Sequence, residues 1–144
     1  MNAPVYRDPK VAVALLIARG GAVLLQQRAM EPARGRWSFI GGYVDRGEQV
    51  ERAAEREARE ELGAAVRLTH LLGVYSEPDN PVVLIVYTAE LHDPAAPFTP
   101  QAEEITALGW FALDALPPLA FAHDPQIVAD WQAWVAEGRE VPPR

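Results

Sequence analysis

The chain has 144 residues, enough for one domain with a real core, and its 49% hydrophobic and 23% charged content is that of an ordinary globular protein. It holds no cysteine, which excludes disulfides, thiol chemistry and cysteine-based zinc sites and is compatible with a reducing cytoplasm, the expected compartment. The net charge of −7 argues against a general nucleic-acid binder, and it also repels any phosphate-bearing ligand unless a metal or local arginines reverse the sign.

Residues 1–9 contain two prolines and read as a loose arm. The apolar run from Val11 to Ala18 is too short to span a bilayer, so no membrane role is expected. Lys10 to Ala18 reads as a buried strand, and the turn Arg19-Gly20-Gly21 leads into a returning strand from Ala22 to Arg28. Ala29 to Arg36 is a loop. Trp37 to Ile40 is a short apolar stretch that Gly41-Gly42 is expected to stop. Gln49 to Leu62 is made almost entirely of good helix formers, and Gly63 ends it. Strands are expected over Val66 to Tyr75, Val82 to Leu91 and Leu108 to Leu113. A closing helix is expected over Pro125 to Glu137, with Ile127, Val128, Trp131, Trp134 and Val135 on one side. This order implies a mixed sheet between helical layers, an α/β fold.

The first helix carries the chemistry. At about 100° per residue, Glu57, Glu60 and Glu61 fall within an arc of roughly 100° beside an apolar stripe of Ala54, Ala58 and Leu62. Arg52, Arg56 and Arg59 lie beyond Glu60. Two like charges about 4 Å apart cost about 4 kcal/mol at an effective dielectric of about 20. A hard divalent cation turns that repulsion into binding, because Mg²⁺ and Mn²⁺ prefer carboxylate oxygens. A glutamate- and arginine-rich helix is more often a solvated face with ion pairs along it. The flanking residues decide otherwise here: Gly41, Gly42 and Gly47 precede the helix, Glu48 stands just before it, and Gly63 follows it.

In this the sequence resembles the Nudix hydrolases. Their box is Gly, five residues, Glu, seven residues, Arg-Glu, an apolar residue, any residue, Glu-Glu, any residue, Gly and an apolar residue. Gly42, Glu48, Arg56, Glu57, Glu60, Glu61 and Gly63 occupy all seven fixed positions. Ala58 and Ala64 fill the apolar slots. The lead-in Gly35-Arg36-Trp37-Ser38-Phe39-Ile40-Gly41-Gly42 is also similar, with Ile40 where proline is usual. Leu24-Leu25-Gln26-Gln27-Arg28 resembles the family's second strand, and Glu104-Ile105 with Trp110-Phe111 its acidic loop and last strand.

The resemblance implies a single Nudix domain over residues 1–144, a Nudix-type α/β/α sandwich, and metal-dependent hydrolysis of a diphosphate linkage in a nucleotide. It implies that Glu57, Glu60 and Glu61 hold Mg²⁺ (or Mn²⁺) with a backbone carbonyl of Gly41. Arg56 pairs with Glu48 and orients those ligands, and Glu104 is the candidate general base, with Glu60 or Glu61 as alternatives. Arg28, Arg36 and Gly42 are candidates for substrate binding, and Arg34 is a weaker one. Relatives often form homodimers. His70, His92 and His123 receive no role. Packing is the preferred reading of Tyr43, Tyr75 and Phe121 over stacking on a base. Four substrate classes stay open: ADP-ribose or another nucleotide sugar, NADH, dinucleoside polyphosphates and oxidised nucleoside triphosphates. Pro78, fifteen residues beyond Gly63, favours ADP-ribose, since a proline near that spacing recurs in such hydrolases. The Ser-Gln-Pro-Trp-Pro-Phe stretch of the NADH hydrolases is absent. A non-catalytic nucleotide-binding module is the alternative from another class, and such modules usually lose box glutamates, all of which stand here.

Overall fold

The computed structural model describes residues 8–101 and 103–139. Its elements are β1 (Lys10–Arg19), β2 (Ala22–Arg28), β3 (Trp37–Ser38), β4 (Ile40–Tyr43), α1 (Val50–Leu62), β5 (Val66–Tyr75), β6 (Val82–Leu91), β7 (Ile105–Ala112) and α2 (Asp124–Ala136). Of the expected N-terminal arm only residues 8 and 9 are described, and they carry no regular structure. No helix among the described residues is long and apolar enough to cross a membrane.

β1 is central. It pairs in parallel with β6, from Lys10↔Val82 to Ile17↔Ala89, and antiparallel with β4, from Ala12↔Tyr43 to Leu15↔Ile40. β5 pairs antiparallel with β6, and β7 with β2, so the sheet is mixed. Both faces of β1 are covered, which explains its unbroken apolar run. Val13, Leu15 and Ile17 face α1 and pack with Ala53, Ala54, Ala58 and Leu62. Ala12, Ala14, Leu16 and Ala18 face α2 and pack with Ile127, Val128 and Trp131. The two-residue period of the strand thus divides one sequence run between two cores, as a three-layer α/β/α sandwich requires.

Two expected boundaries are corrected. Gly41-Gly42 does not stop a strand: β4 runs through both glycines, because their backbone pairs with Ala14 and Val13 of the central strand. A Cβ on Gly41 would run into the Val13 carbonyl, so this close approach needs glycine. Ile40 is fully buried and pairs with Leu15. The last strand begins at Ile105 rather than Leu108, since β2 is long enough to pair its whole length, as far as Arg28↔Ile105.

Candidate active site

α1 is drawn to the sheet by its smallest side chains. Ala53, Ala54 and Ala58 are completely buried, so the helix backbone lies close to β1 and β4. Alanine in the box's first apolar slot, Ala58, therefore seats the helix. Gly63 ends it in the left-handed conformation (φ 63°), with its N–H on the Arg59 carbonyl. The N–H groups of Thr99 and Gln101 then donate to the Leu62 and Glu60 carbonyls, both at 2.8 Å, so the loop after β6 caps the helix. A Cβ on Gly63 would overlap Thr99, and glycine there admits that loop.

The three glutamates of the arc have different surroundings. Glu61 is only 5% exposed. Its carboxylate accepts hydrogen bonds from the Gly41 N–H at 3.0 Å and from Gln26 Nε2 at 3.0 Å. Burial pushes its pKa well above the usual carboxylate range, and the charge of Glu57 pushes it further; the bonds from Gly41 and Gln26 oppose this. Glu57 is also raised, by burial first, while Arg56 pulls it down and the charges of Glu60 and Glu104 push it up. It packs against Gly42, where a Cβ would collide with its carboxylate. Glu60 is the most exposed of the three and meets Arg56 at 3.3 Å.

Arg56 organises the rim. Its Nε and Nη2 donate to Glu48 at 2.8 and 3.0 Å, its Nη1 to Glu57 at 3.0 Å, and its Nη2 to the Tyr43 carbonyl at 3.0 Å. The two-pronged bond to Glu48 joins the helix to the loop before it. Glu48 in turn accepts from the Asp45 N–H, and with Arg56 as the larger cause its pKa falls to about 2.

Glu104 reaches the same place from another element. Its carbonyl accepts from the Ala29 N–H at 2.8 Å, next to β2, and the preceding residues are tied to the end of α1. Its charge acts on both Glu57 and Glu61. The structure thus brings Glu48, Arg56, Glu57, Glu60, Glu61, Glu104, Gly41 and Gly42 together. Among the described residues no three acidic or histidine side chains already converge as a metal cage, because Arg56 draws Glu57 and Glu60 while Gly41 and Gln26 hold Glu61.

Arg28 and Arg36 lie further along the same edge. Arg28 donates to the Pro32 carbonyl at 2.7 Å and covers the Phe121 ring, and Arg36 donates to the Leu119 carbonyl at 3.3 Å. Each holds a loop with part of its guanidinium. Tyr75 is a packing residue whose hydroxyl donates to Asp130 of α2 at 2.6 Å, and Tyr43 is exposed beneath Lys10. His70 lies edge-on to Trp134, and His123 stacks on Phe121.

Gln26 was not singled out by the sequence. A signal existed: alternation along β2 sends Val23 and Leu25 to the α2 side and Leu24 to the α1 side, so Gln26 is a polar residue pointing toward α1.

A family model, the NUDIX domain, matches residues 7–132. The chain belongs to the Nudix family. A relative named ADP-ribose pyrophosphatase, from Methanocaldococcus jannaschii, is 36% identical over 133 residues, covering 90% of this chain and 76% of that one. A relative named NAD-capped RNA hydrolase NudC, from Pseudomonas aeruginosa, is 37% identical over 105 residues; the match covers 73% of this chain but only 37% of that protein. Among solved structures, a NUDIX hydrolase from Nitrosomonas europaea superposes with a TM-score of 0.78 at 30% identity, covering 96% of this chain and 77% of that one. This Nudix chain is thus a pyrophosphohydrolase by family, acting on diphosphate linkages of nucleotide derivatives.

Proposed function

We propose that the chain hydrolyses the diphosphate bond of ADP-ribose, or of a closely related nucleoside diphosphate sugar, with Mg²⁺ held by Glu57, Glu60, Glu61 and the Gly41 carbonyl. The observation that carries this reading is the buried Glu61 carboxylate, fixed by the Gly41 N–H beside a second half-buried carboxylate, Glu57, with too little positive charge nearby to neutralise both. Charges placed so are costly unless a cation is shared between them. The donor set, hard carboxylate oxygens on one helix face, suits Mg²⁺ or Mn²⁺. Gly42 leaves the space that the Glu57 carboxylate occupies, and Glu57 Oε2 has no protein hydrogen bond among the described residues.

When bound, the ion would neutralise phosphate charge and favour ionisation of the attacking water. The chain's own residues do the remainder. Glu104, exposed and held at the edge of the cluster, accepts the proton of the water whose oxygen bonds to phosphorus as the bridging P–O bond breaks. Arg56, fixed by Glu48, keeps Glu57 and Glu60 on one side of the helix. Arg28 and Arg36 retain guanidinium donors beyond those that hold Pro32 and Leu119, and these serve the substrate phosphates. Hydrolysis of ADP-ribose in this way yields AMP and ribose 5-phosphate.

The substrate lean is supported by the Methanocaldococcus relative, which spans nearly the whole chain. A panel of ADP-ribose, NADH, a dinucleoside polyphosphate and 8-oxo-dGTP with Mg²⁺ tests it. ADP-ribose should give the highest kcat/KM, and a preference for 8-oxo-dGTP would refute the substrate reading.

A further inference from the structure

We propose that Gln26 is a positioning residue of this site, its side-chain amide clamping the Glu61 carboxylate against β4. The inference rests on the reading of Glu61 as a metal ligand. Gln26 is 6% exposed and belongs to β2, while Glu61 belongs to α1. Its single NH₂ group donates twice, to Glu61 Oε1 at 3.0 Å and to the Phe39 carbonyl at 3.1 Å, just before β4. With the Gly41 N–H on the same carboxylate, Glu61 is gripped from two strands. The orientation of the amide is fixed by its partners: turned over, it would set its oxygen against a carbonyl oxygen and a carboxylate oxygen, both acceptors.

The grip has a cost that fold stability alone does not explain. Gln26 Oε1 is buried and has no hydrogen-bond partner among the described residues. Buried acceptors are nearly always satisfied, and methionine would fill the same volume with no polar atom to leave unpaired. Glutamine earns its place through the donor it turns to Glu61. A carboxylate with two oxygens and a rotatable stem needs such a partner to present one fixed face to an ion, as metal ligands generally do. The neighbouring Gln27 shows the contrast: its amide donates to the Gly35 carbonyl at 3.0 Å, in an exposed turn away from the carboxylates.

The test compares Gln26→Met, Gln26→Asn, Glu61→Gln and Thr88→Val with the wild type. Thr88 is the control, a buried polar residue whose hydroxyl meets Thr69 at 2.6 Å between β5 and β6; by strand alternation with Leu84 and Val86 it lies on the α2 face of the sheet, opposite the face that packs against α1. Mn²⁺ affinity is read by titration of the substrate-free protein, and kcat and KM are read with ADP-ribose. Gln26→Met should lower Mn²⁺ affinity and kcat by about 10- to 100-fold with KM little changed, while Thr88→Val lowers thermal stability and leaves both intact. Gln26→Asn, which keeps the amide but withdraws it by one methylene, should behave like Gln26→Met and serves if that variant does not fold. A folded Gln26 variant with wild-type Mn²⁺ affinity and kcat, beside a defective Glu61→Gln, overturns this proposal alone. If Glu61→Gln also binds Mn²⁺ and turns over normally, the metal reading of the site falls with it.

Discussion

The Gly41 N–H donates to the Glu61 carboxylate at 3.0 Å, joining a glycine of β4 to a glutamate near the end of α1. This one bond ties the glycine pair and the helix of the box, twenty residues apart, into a single site. It also places a carboxylate where water scarcely reaches. Removing its charge should therefore affect chemistry more than folding. Glu61→Gln keeps the shape and an acceptor for Gly41, and should lower kcat by about 10²- to 10⁴-fold while leaving the circular dichroism spectrum unchanged.

Gly42→Ala should act through Glu57. The three atoms nearest an added Cβ all belong to the far end of the Glu57 side chain, and Gly42 does not have a positive φ, so the backbone tolerates alanine. The carboxylate must move instead. Mn²⁺ affinity should fall by about tenfold or more, with a small change in Tm, as metal titration and thermal melts of the same sample would show.

Gly63→Ala should show the opposite balance. Its φ of 63° disfavours any side chain, and the Cβ would overlap the backbone of Thr99 as well as its hydroxyl. A loss of about 1–2 kcal/mol is expected from the left-handed conformation alone, and displacement of the loop adds to it. Urea unfolding measures the loss. Activity should fall too, because that loop leads to Glu104.

Asp124 predicts a pH dependence of stability. It is 2% exposed at the start of α2, and burial pushes its pKa up to about 7, although the Phe121 N–H bond opposes the shift. A carboxyl whose folded pKa exceeds its unfolded value favours the folded state while protonated. Its contribution is thus complete below about 4 and is lost as pH rises through about 7. Asp124→Asn keeps an oxygen for Phe121 and cannot ionise. Its stability should fall less than that of the wild type between about pH 4 and pH 7, the window these pKa values bracket, in melts at matched ionic strength.

Most of the architecture was legible because it depends on local patterns. The Val11 to Ala18 run, the alanine and glutamate content of α1 and the terminal Gly63 each announce their element, and β5 and β6 have the limits the sequence suggests. The passage of β4 through Gly41-Gly42 was not legible, because glycine is locally a breaker and only pairing with β1 makes it strand. For the candidate site, the helical arc placed three glutamates on one side but could not separate buried Glu61 from exposed Glu60, since burial depends on where β4 and β2 lie. Gln26 escaped for the same reason: its partner is thirty-five residues away. The cation–π contact of Arg28 with Phe121 likewise joins segments that no local pattern links.

The measurement that bears most directly on the central claim is release of AMP from ADP-ribose by the purified wild type and by Glu61→Gln, each with Mg²⁺ and with a chelator. The account predicts AMP and ribose 5-phosphate from the wild type with Mg²⁺ only, and about 10²-fold less or lower from a folded Glu61→Gln. Equal turnover by the two proteins, or wild-type turnover that survives the chelator, would contradict it.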